Sequence, residues 1–363
     1  MHSTQPRHRY PTLDLLRLVA IGLTMLVHTP SITERVFLLR PFRNGFWLGV
    51  DLFMLISGWL LGGQLLREAA GGRVLRLRFY AKRWLRTLPP YYAMLALLYW
   101  SHNPQFGGPL PTWQVLTHVT FLQIYIGPTL YMVSWSLCVE EHFYLALPGV
   151  VALVGKSDRT GRMLGLTVAA LILAVALRAV AFWQDPLHSD VPLTSYYRTD
   201  GLWLGFAFSW IHLHAPRHWK RLGKYSFWLF FSGLALTATV MYATPAAPSA
   251  WRFIGVPTVG TVAMALAFIA CVHDQSPFSR MSFRGLQYLG ELTFAIYLVH
   301  DVMPSSWLGD KVAGGGILAV ARRLGLVFGC SILLHHGVER PALSLRRRLL
   351  ARWPDSARRA SAE

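Results

Sequence analysis

Long apolar runs alternate with short polar and basic segments along most of the chain. A membrane-spanning helix needs about 20 mostly apolar residues, and runs close to that length recur from one end of the sequence to the other. The pattern therefore predicts an all-α, polytopic integral membrane protein with ten spans. These spans lie at about 13–29, 45–65, 87–101, 135–155, 163–183, 198–213, 226–243, 253–272, 286–300 and 317–337.

Lys and Arg residues orient these spans. An even number places both termini on one side, and with the N-terminus inside, the inside segments hold 26 Lys and Arg residues and the outside segments 6. The positive-inside rule then predicts that both termini are cytoplasmic. We expect a transmembrane domain over 1–340 and a basic, partly amphipathic or disordered tail over 341–363. The short apolar segment 115–127 is re-entrant, interfacial or spanning.

Composition supports the membrane class. Hydrophobic residues make up 53% of the 363-residue chain and charged residues only 14%, whereas soluble domains carry about 25% charged residues. The net charge of +18 comes from short clusters between apolar runs, which favours an anionic lipid leaflet over nucleic acid. Cys138, Cys271 and Cys330 are scattered through apolar stretches and predict free thiols, with neither a disulfide framework nor a metal site. No cleavage site follows the first apolar run, so we expect that run to be retained as a helix.

The first span carries two polar residues at opposite depths. Arg17 and His28 are eleven residues apart, which on a helix is about three turns and about 16 Å. They share one face, and a face with ionisable groups must look into the protein rather than at lipid. Asp14 is either a favourable charge at the helix N-terminus or an i, i+3 partner of Arg17.

Further ionisable residues lie near the outer ends of other spans. A neutral histidine needs a carboxylate to fix its tautomer and to stabilise the imidazolium that forms when it takes a proton. A hydroxyl acceptor needs such a base. Of two adjacent glutamates in the fourth span, we expect only one to face the site. The candidate catalytic residues are therefore His28, Asp51, Glu140, Glu141 and His300.

A second set of residues at outer span ends provides candidate contacts for an acceptor. Arg198 and Asp200 form either such contacts or a structural ion pair. Three polar residues lie at the inner end of the last span and either stabilise the local structure or contact the donor: His335, His336 and Glu339. The candidate acceptor contacts are Trp135, Ser136, Tyr297, Arg198 and Asp200.

On the inner side, a basic cluster with interleaved aromatic residues precedes the third span. Arg83 and Arg86 are spaced i, i+3, so one helical face presents both. Forked guanidinium groups suit phosphate oxygens. The cluster as a whole either anchors the protein by the positive-inside rule or binds a ligand; for Arg83 and Arg86 we favour a ligand contact.

In combination, these motifs resemble the acyltransferase-3 family of membrane acyltransferases. The resemblance rests on the spacing from Arg17 to His28 and covers nearly the whole chain. Cys138 and His142 depart from the pattern, which commonly has Ser and Gln there. The other matching stretches are "GVDLFMLISGWLL" (49–61), "RFYAKRWLRTLPPYY" (78–92), "WSLCVEEHFYLALP" (135–148), "YRTDGLWLGFAFSW" (197–210), "FAIYLVHDVMP" (294–304) and "ERP" (339–341).

The resemblance implies an O-acyltransferase of a bacterial cytoplasmic membrane. It would move an acyl group, by default acetyl, from acyl-CoA to a hydroxyl of a sugar or other small acceptor, with Arg17, His28, Arg83 and Arg86 functional. It implies the stand-alone type, with acyl-CoA as co-substrate and no permanently bound cofactor. The alternative is a transporter or flippase that uses the same intramembrane charges. His28 acts as general base or carries the acyl group transiently.

Overall fold

The computed structural model describes residues 11–70, 76–100, 111–126, 129–154, 160–186, 194–302 and 317–351. Every regular element within these ranges is a helix, which confirms the all-α class. In chain order the α-helices are α1 (Pro11–Val27), α2 (Pro30–Arg35), α3 (Leu48–Ala70), α4 (Arg76–Trp100), α5 (Thr112–Val119), α6 (Trp135–Val154), α7 (Thr160–Gln184), α8 (Asp200–His214), α9 (Pro216–Lys224), α10 (Ser226–Tyr242), α11 (Val256–Val272), α12 (Leu286–Val299), α13 (Ile317–Leu334) and α14 (Arg340–Ala351).

Short 3₁₀ and π segments join these helices at several places. Of the two π segments, one continues directly into α11 and the other joins α13 to α14. The 3₁₀ segments are Phe37–Gly45, Met132–Ser134, Ser195–Tyr197 and Pro277–Arg280, and the π segments are Trp251–Gly255 and His335–Glu339.

A helix occupies each of the ten predicted spans. Five helical segments of the described residues are long and apolar enough to cross a membrane, and a sixth arises if α9 and α10, bent by 72°, count as one. The protein is therefore a multi-pass membrane protein, whereas ten spans and cytoplasmic termini stay predictions. The five segments are Leu48–Ala69, Met132–Val154, Thr160–Gln184, Trp251–Val272 and Leu318–Ala351.

Two weaker parts of the sequence prediction have a defined local structure. Within 115–127, the helix α5 ends at Val119, and residue 127 lies outside the described residues. Within the predicted tail, helix α14 extends to Ala351, and residues 352–363 lie outside the described residues.

The chain divides into two compact units. The first comprises residues 1–67 and 135–293, and the second comprises residues 68–134 and 294–363. The core of the first unit is built from buried side chains of α1, α3 and α11 with their neighbours. Its central members include Leu13, Ala20, Leu48, Leu55, Trp59, Val256, Met264 and Phe268.

Glycines allow α3 and α8 to lie almost backbone to backbone in this first unit. A Cβ at Gly201 would lie 2.8 Å from the carbonyl oxygen of Asp51. A Cβ at Gly205 would overlap the carbonyl oxygen of Leu55 and lie 2.6 Å from the backbone nitrogen of Trp59. Small residues at such positions are the usual means by which membrane helices approach closely. This contact fixes the start of α8 beside the first turns of α3.

Gly205→Ala is expected to destabilise the protein. The added methyl would collide with backbone atoms of α3, which cannot move aside by a change of rotamer. We therefore expect a loss of about 1–3 kcal/mol in the free energy of unfolding. Gly165→Ala in α7 is the matched control, because a Cβ there has open space. Thermal unfolding midpoints in detergent compare the two. Equal midpoints would contradict the close α3–α8 contact.

In the second unit, aromatic stacking and one buried histidine hold the segment after α5. Tyr91 stacks on Phe121 and on Tyr131. His118 is fully buried, with Nδ1 2.7 Å from the carbonyl oxygen of Gln114 and Nε2 accepting from the backbone N–H of Tyr131. The carbonyl contact needs an N–H on Nδ1 and the Tyr131 contact needs a lone pair on Nε2, so a neutral ring protonated on Nδ1 satisfies both contacts.

Candidate active site

The N-terminal part of α1 contains the ion pair predicted as one alternative from its i, i+3 spacing. Arg17 donates from Nη1 to Asp14 Oδ1 at 2.8 Å. Asp14 is buried, and a Cβ at Gly290 of α12 would lie 2.7 Å from Asp14 Cβ, so the carboxylate is held against that helix. The Arg17 side chain keeps 21% of its surface exposed. Asp14 is thus a partner of Arg17, whose side chain is partly exposed.

His28 follows the last residue of α1 and lies in the turn before α2. Helix α1 is unbroken from Arg17 to Val27, so the two functional candidates are separated by about three helical turns. The backbone N–H of His28 donates to the carbonyl oxygen of Met25 at 3.1 Å, and the side chain is partly exposed. A partly exposed ring at a helix end can meet a substrate without unfolding of the helix.

Helix α3 packs on α1 one to two turns before His28. A Cβ at Gly49 would lie 2.6 Å from the carbonyl oxygen of Ala20 and 3.0 Å from Thr24 Oγ1. Because the glycine has none, the first turn of α3 lies directly on this part of α1. Asp51, two residues after Gly49, therefore belongs to the same end of the α1–α3 contact as His28.

Asp51 forms a buried ion pair with Arg198. Arg198 Nη2 donates to Asp51 Oδ2 at 2.6 Å, and both side chains are essentially inaccessible. The guanidinium carbon lies 4.6 Å from the ring centre of Trp47 and 5.2 Å from that of Trp135. Ser136, beside Trp135, is also buried. The structure thus brings together three predicted candidates: Asp51, Arg198 and Trp135.

Asp200 pairs with a residue to which the sequence had assigned no role. Arg178 Nη1 donates to Asp200 Oδ2 at 2.9 Å and Nη2 to Asp200 Oδ1 at 3.2 Å. Nη1 also donates to the carbonyl oxygen of Tyr197 at 2.7 Å, and Nη2 to Thr258. Arg178 is fully buried in α7. The sequence feature that could have indicated this pair is an arginine inside an apolar span, because a buried arginine requires a buried carboxylate.

The sequence offered two roles for Arg198 and Asp200: a structural ion pair with each other or contacts to an acceptor. The structure shows no hydrogen bond between the two side chains, because each is bonded to another residue. Arg198 lies between the 3₁₀ turn Ser195–Tyr197 and α8, and it bonds α3. Asp200 lies in the first turn of α8 and bonds α7. Both ion pairs join different elements of the structure, so the partners depend on helix packing and not on sequence separation.

The two adjacent glutamates of α6 have different surroundings, as their divergence of about 100° on a helix requires. Glu140 accepts from Ser57 Oγ at 3.1 Å and from Tyr144 Oη at 3.3 Å, and it is partly exposed. Glu141 is buried, with 3% of its surface exposed. Neither Ser57 nor Tyr144 was expected at the site from the sequence. Ser57 could have been suspected as a polar residue inside the second apolar span.

One turn of α6 carries a further titratable ring. His142 Nδ1 is 2.7 Å from Ser195 Oγ, and His142 Nε2 is 3.9 Å from Cys138 Sγ. The two positions that depart from the resembled pattern, Cys138 and His142, are thus neighbours one turn apart. Ser195 belongs to the 3₁₀ turn that precedes Arg198.

In the second unit, Tyr297 and His300 lie together at the end of α12. His300 Nδ1 is 2.7 Å from the carbonyl oxygen of Tyr297, and Tyr297 Oη donates to the carbonyl oxygen of Val133 at 2.8 Å. Tyr131 Oη donates to the carbonyl oxygen of Leu298. The end of α12 is therefore tied to the segment 131–133 by two tyrosine hydroxyls.

The basic cluster of the second unit forms part of α4, as its spacing predicts. Arg83 is partly exposed and Arg86 is exposed, one turn apart on the same helix. Neighbouring Lys82 is ion-paired with Glu68, and its carbonyl oxygen accepts from Arg346 Nη1 of α14 at 3.2 Å. Farther along the chain, His335 Nδ1 is 2.8 Å from Glu339 Oε2, a local pair within the π segment.

The fold and these sites define a multi-pass helical membrane protein with fully buried ion pairs and an accessible imidazole at a helix end. The sequence profile described as an acyltransferase domain matches residues 10–334. The chain belongs to this family, acyltransferase-3.

Three curated relatives illustrate the family. A Bacillus subtilis (strain 168) protein named as a candidate peptidoglycan O-acetyltransferase is 26% identical over 376 residues, covering 94% of this chain and 56% of that protein. The peptidoglycan O-acetyltransferase OatA of Listeria monocytogenes is 24% identical over 330 residues, covering 82% of this chain and 50% of that protein. Nodulation protein 10 of Rhizobium leguminosarum is 26% identical over 390 residues, covering 97% of each.

The lengths of these relatives differ. The chain spans about half the length of the two O-acetyltransferase relatives and nearly all of the nodulation protein. No solved structure matches the chain.

Proposed function

We propose that the protein transfers an acyl group, acetyl in the first instance, from cytoplasmic acyl-CoA to a hydroxyl of a sugar-containing acceptor. Surface polysaccharide, lipid-linked glycan and secreted glycosylated metabolite are the acceptor classes that fit. Membership of an acyltransferase family and the names of the O-acetyltransferase relatives support this reaction. The observation that carries it is α1, an unbroken helix with an accessible guanidinium near one end and an accessible imidazole at the other.

The proposal places the protein in a bacterial cytoplasmic membrane with ten spans and both termini inside. The excess of Lys and Arg in the predicted inside segments supports this orientation. The N-terminal end of α1, with Arg17, then faces the cytoplasm, and His28 lies near the outer surface. Residues 1–340 form the transmembrane domain, and residues 341–363 form the basic tail.

In this arrangement the donor enters from the cytoplasm. Arg83 and Arg86 of α4 are the candidates for holding phosphate oxygens of acyl-CoA, for which forked guanidinium groups are suited. Arg17 is a further candidate of the same chemistry. The pantetheine arm is long and narrow, and it spans the depth of about 16 Å that separates Arg17 from His28. The thioester thereby reaches the imidazole while the nucleotide stays at the cytoplasmic surface.

His28 is the general base in the transfer. Its imidazole takes the proton of the acceptor hydroxyl as the hydroxyl oxygen bonds to the acyl carbon. The carbon–sulfur bond then breaks, and the CoA thiolate takes the proton from His28, which restores the neutral imidazole. A general base needs no acyl-imidazole intermediate. Asp51, Glu140, Glu141 and His300 are the candidates for supporting proton transfer, and Trp135, Ser136, Tyr297, Arg198 and Asp200 for positioning the reacting groups.

A direct assay tests the reaction. Membranes or purified protein are incubated with radiolabelled acetyl-CoA and with glycan acceptors of the three classes. We expect label to pass to acceptor hydroxyls as a base-labile ester, with release of free CoA. Movement of unmodified substrate across the membrane, without any label transfer, would support a transporter instead.

Loss of either α4 arginine is expected to weaken donor use. Arg83→Ala and Arg86→Ala should each raise the KM for acetyl-CoA about tenfold, because each removes a charge-assisted hydrogen bond to phosphate. Lys220→Ala is the control, since Lys220 is an exposed cation of the separate basic helix α9. Steady-state kinetics with acetyl-CoA and with its 3′-dephospho form give the readout. An unchanged KM with both donors, for both variants, would refute the phosphate role.

A further inference from the structure

The guanidinium of Arg198 has more donors than the described protein groups use. Nη2 bonds Asp51, whereas Nε and Nη1 are buried and have no acceptor among the described residues. Arg178, the other buried arginine nearby, differs: both of its Nη groups are bonded to protein oxygens and only Nε is not. Buried donors normally find a partner, so the unused N–H donors on Nε and Nη1 of Arg198 require one.

The surroundings of Arg198 add donors rather than acceptors. Trp47, whose ring the guanidinium covers at 4.6 Å, has a buried indole N–H that also lacks an acceptor within the described ranges. The ring centre of Trp135 lies 5.2 Å from the guanidinium carbon. A cluster with surplus N–H donors fits a group that contributes oxygen lone pairs. Trp47 is the partly exposed member of this cluster, although its indole nitrogen is buried.

The charges of the cluster restrict that oxygen further. Asp51 neutralises Arg198, and Asp200 neutralises Arg178, so the four groups have no net charge. A permanent anion would have to give up its hydration without gaining a net counter-charge. An oxygen that becomes negative only during a reaction fits better, because fixed donors aimed at developing charge need no reorganisation.

The cluster is attached to the first turn of α3, and this turn packs on the part of α1 that leads to the proposed base. Asp51 is in the first turn of α3, and Gly49 of the same turn packs against Thr24 of α1. His28 comes four residues, about one helical turn, after Thr24 in the chain. Arg198 is held to that turn by its bond to Asp51. Donors and base therefore belong to the same end of the α1–α3 contact.

We propose that Arg198, with Trp47 beside it, binds the carbonyl oxygen of the acyl group and stabilises the oxyanion formed during transfer. This role rests on the proposed function. As the acceptor oxygen bonds to the acyl carbon, the carbonyl π pair moves onto oxygen, and His28 holds the proton. As the oxyanion collapses, the carbon–sulfur bond breaks and the proton passes from His28 to the CoA thiolate. Asp51 is then a positioning residue, which acts through Arg198.

The test compares two buried arginines of the same network. Arg198→Lys should lower kcat by about 100-fold, the effect of losing one oxyanion donor, and leave the KM for acyl-CoA and acceptor nearly unchanged. Arg178→Lys should lower the thermal midpoint to a similar extent but leave the kcat of the folded fraction nearly unchanged. Added guanidinium ion should restore transfer by Arg198→Ala in a saturable manner and should not affect Arg178→Ala.

A second variant keeps the test decisive if Arg198 variants do not fold. Trp47→Phe keeps an aromatic ring over the guanidinium but removes the indole N–H, and it should lower kcat about tenfold at unchanged KM. Unchanged kcat in folded Arg198→Lys or Trp47→Phe would overturn the role. A rise in the KM for the acceptor alone would also overturn it. A wild-type protein without transferase activity would instead overturn the proposed function together with this role.

Discussion

Replacement of His28 by alanine is expected to stop acyl transfer while the protein stays folded. General acid–base catalysis contributes about 10²–10⁴-fold, and no other group is proposed to take the acceptor proton directly. The side chain is partly exposed in the turn after α1, so its removal leaves no cavity in the core. We expect kcat to fall by at least about 100-fold with an unchanged thermal midpoint.

Two further variants isolate the chemistry at this position. His28→Gln keeps much of the size and the hydrogen-bonding capacity but cannot act as a base near neutral pH, so it should be as inactive as His28→Ala. His218→Ala removes an exposed histidine of α9 and should behave as wild type. Full activity of His28→Ala would refute the catalytic assignment while leaving the family membership intact. Isolation of a protein acylated on His28 would replace the general base with a covalent mechanism.

Breaking the Arg178–Asp200 pair is expected to have the largest effect on stability. Arg178→Met leaves Asp200 buried without its cationic partner, and loss of one partner of a buried pair costs about 3–5 kcal/mol. The double variant Arg178→Met/Asp200→Leu removes both charges, and such replacements are often neutral. We therefore expect the single variant to unfold well below wild type and the double variant to recover most of the difference.

A more exposed ion pair is the matched control. Lys82 and Glu68 keep 27% and 22% of their side-chain surfaces exposed, and such pairs contribute at most about 1 kcal/mol. Lys82→Met should therefore change the thermal midpoint in detergent only slightly. Equal losses in Lys82→Met and Arg178→Met would contradict a special role for the buried pair. A double variant no more stable than Arg178→Met would also contradict it.

The sequence predicts well what depends on local spacing. A helix occupies each of the ten apolar runs, because a helix in such a run depends on the run's own length and hydropathy. How many of these helices cross the membrane stays a prediction. The i, i+3 spacing offers Asp14 as a partner of Arg17, and the spacing of Arg83 and Arg86 places them one turn apart on α4. Each of these features is decided within one helix.

Features decided between helices are predicted less well. Arg198 bonds Asp51, which lies 147 positions away in the chain, rather than Asp200. The glycines at 201 and 205 bring α8 onto α3, and only that approach places Arg198 beside Asp51. The contact of His142 with Ser195 likewise joins α6 to a 3₁₀ turn 53 positions later. One sequence without tertiary structure gives no basis for choosing among such partners.

The mass of the acceptor in living cells tests the central claim most directly. Surface glycans, lipid-linked glycans and secreted glycosylated metabolites are compared between cells that express the wild type, His28→Ala or no protein. The account predicts one species heavier by an acyl group, removable by mild base and present only with the wild type. Identical masses in all three cell lines, with the wild type folded in the membrane and acetyl-CoA present, would contradict it.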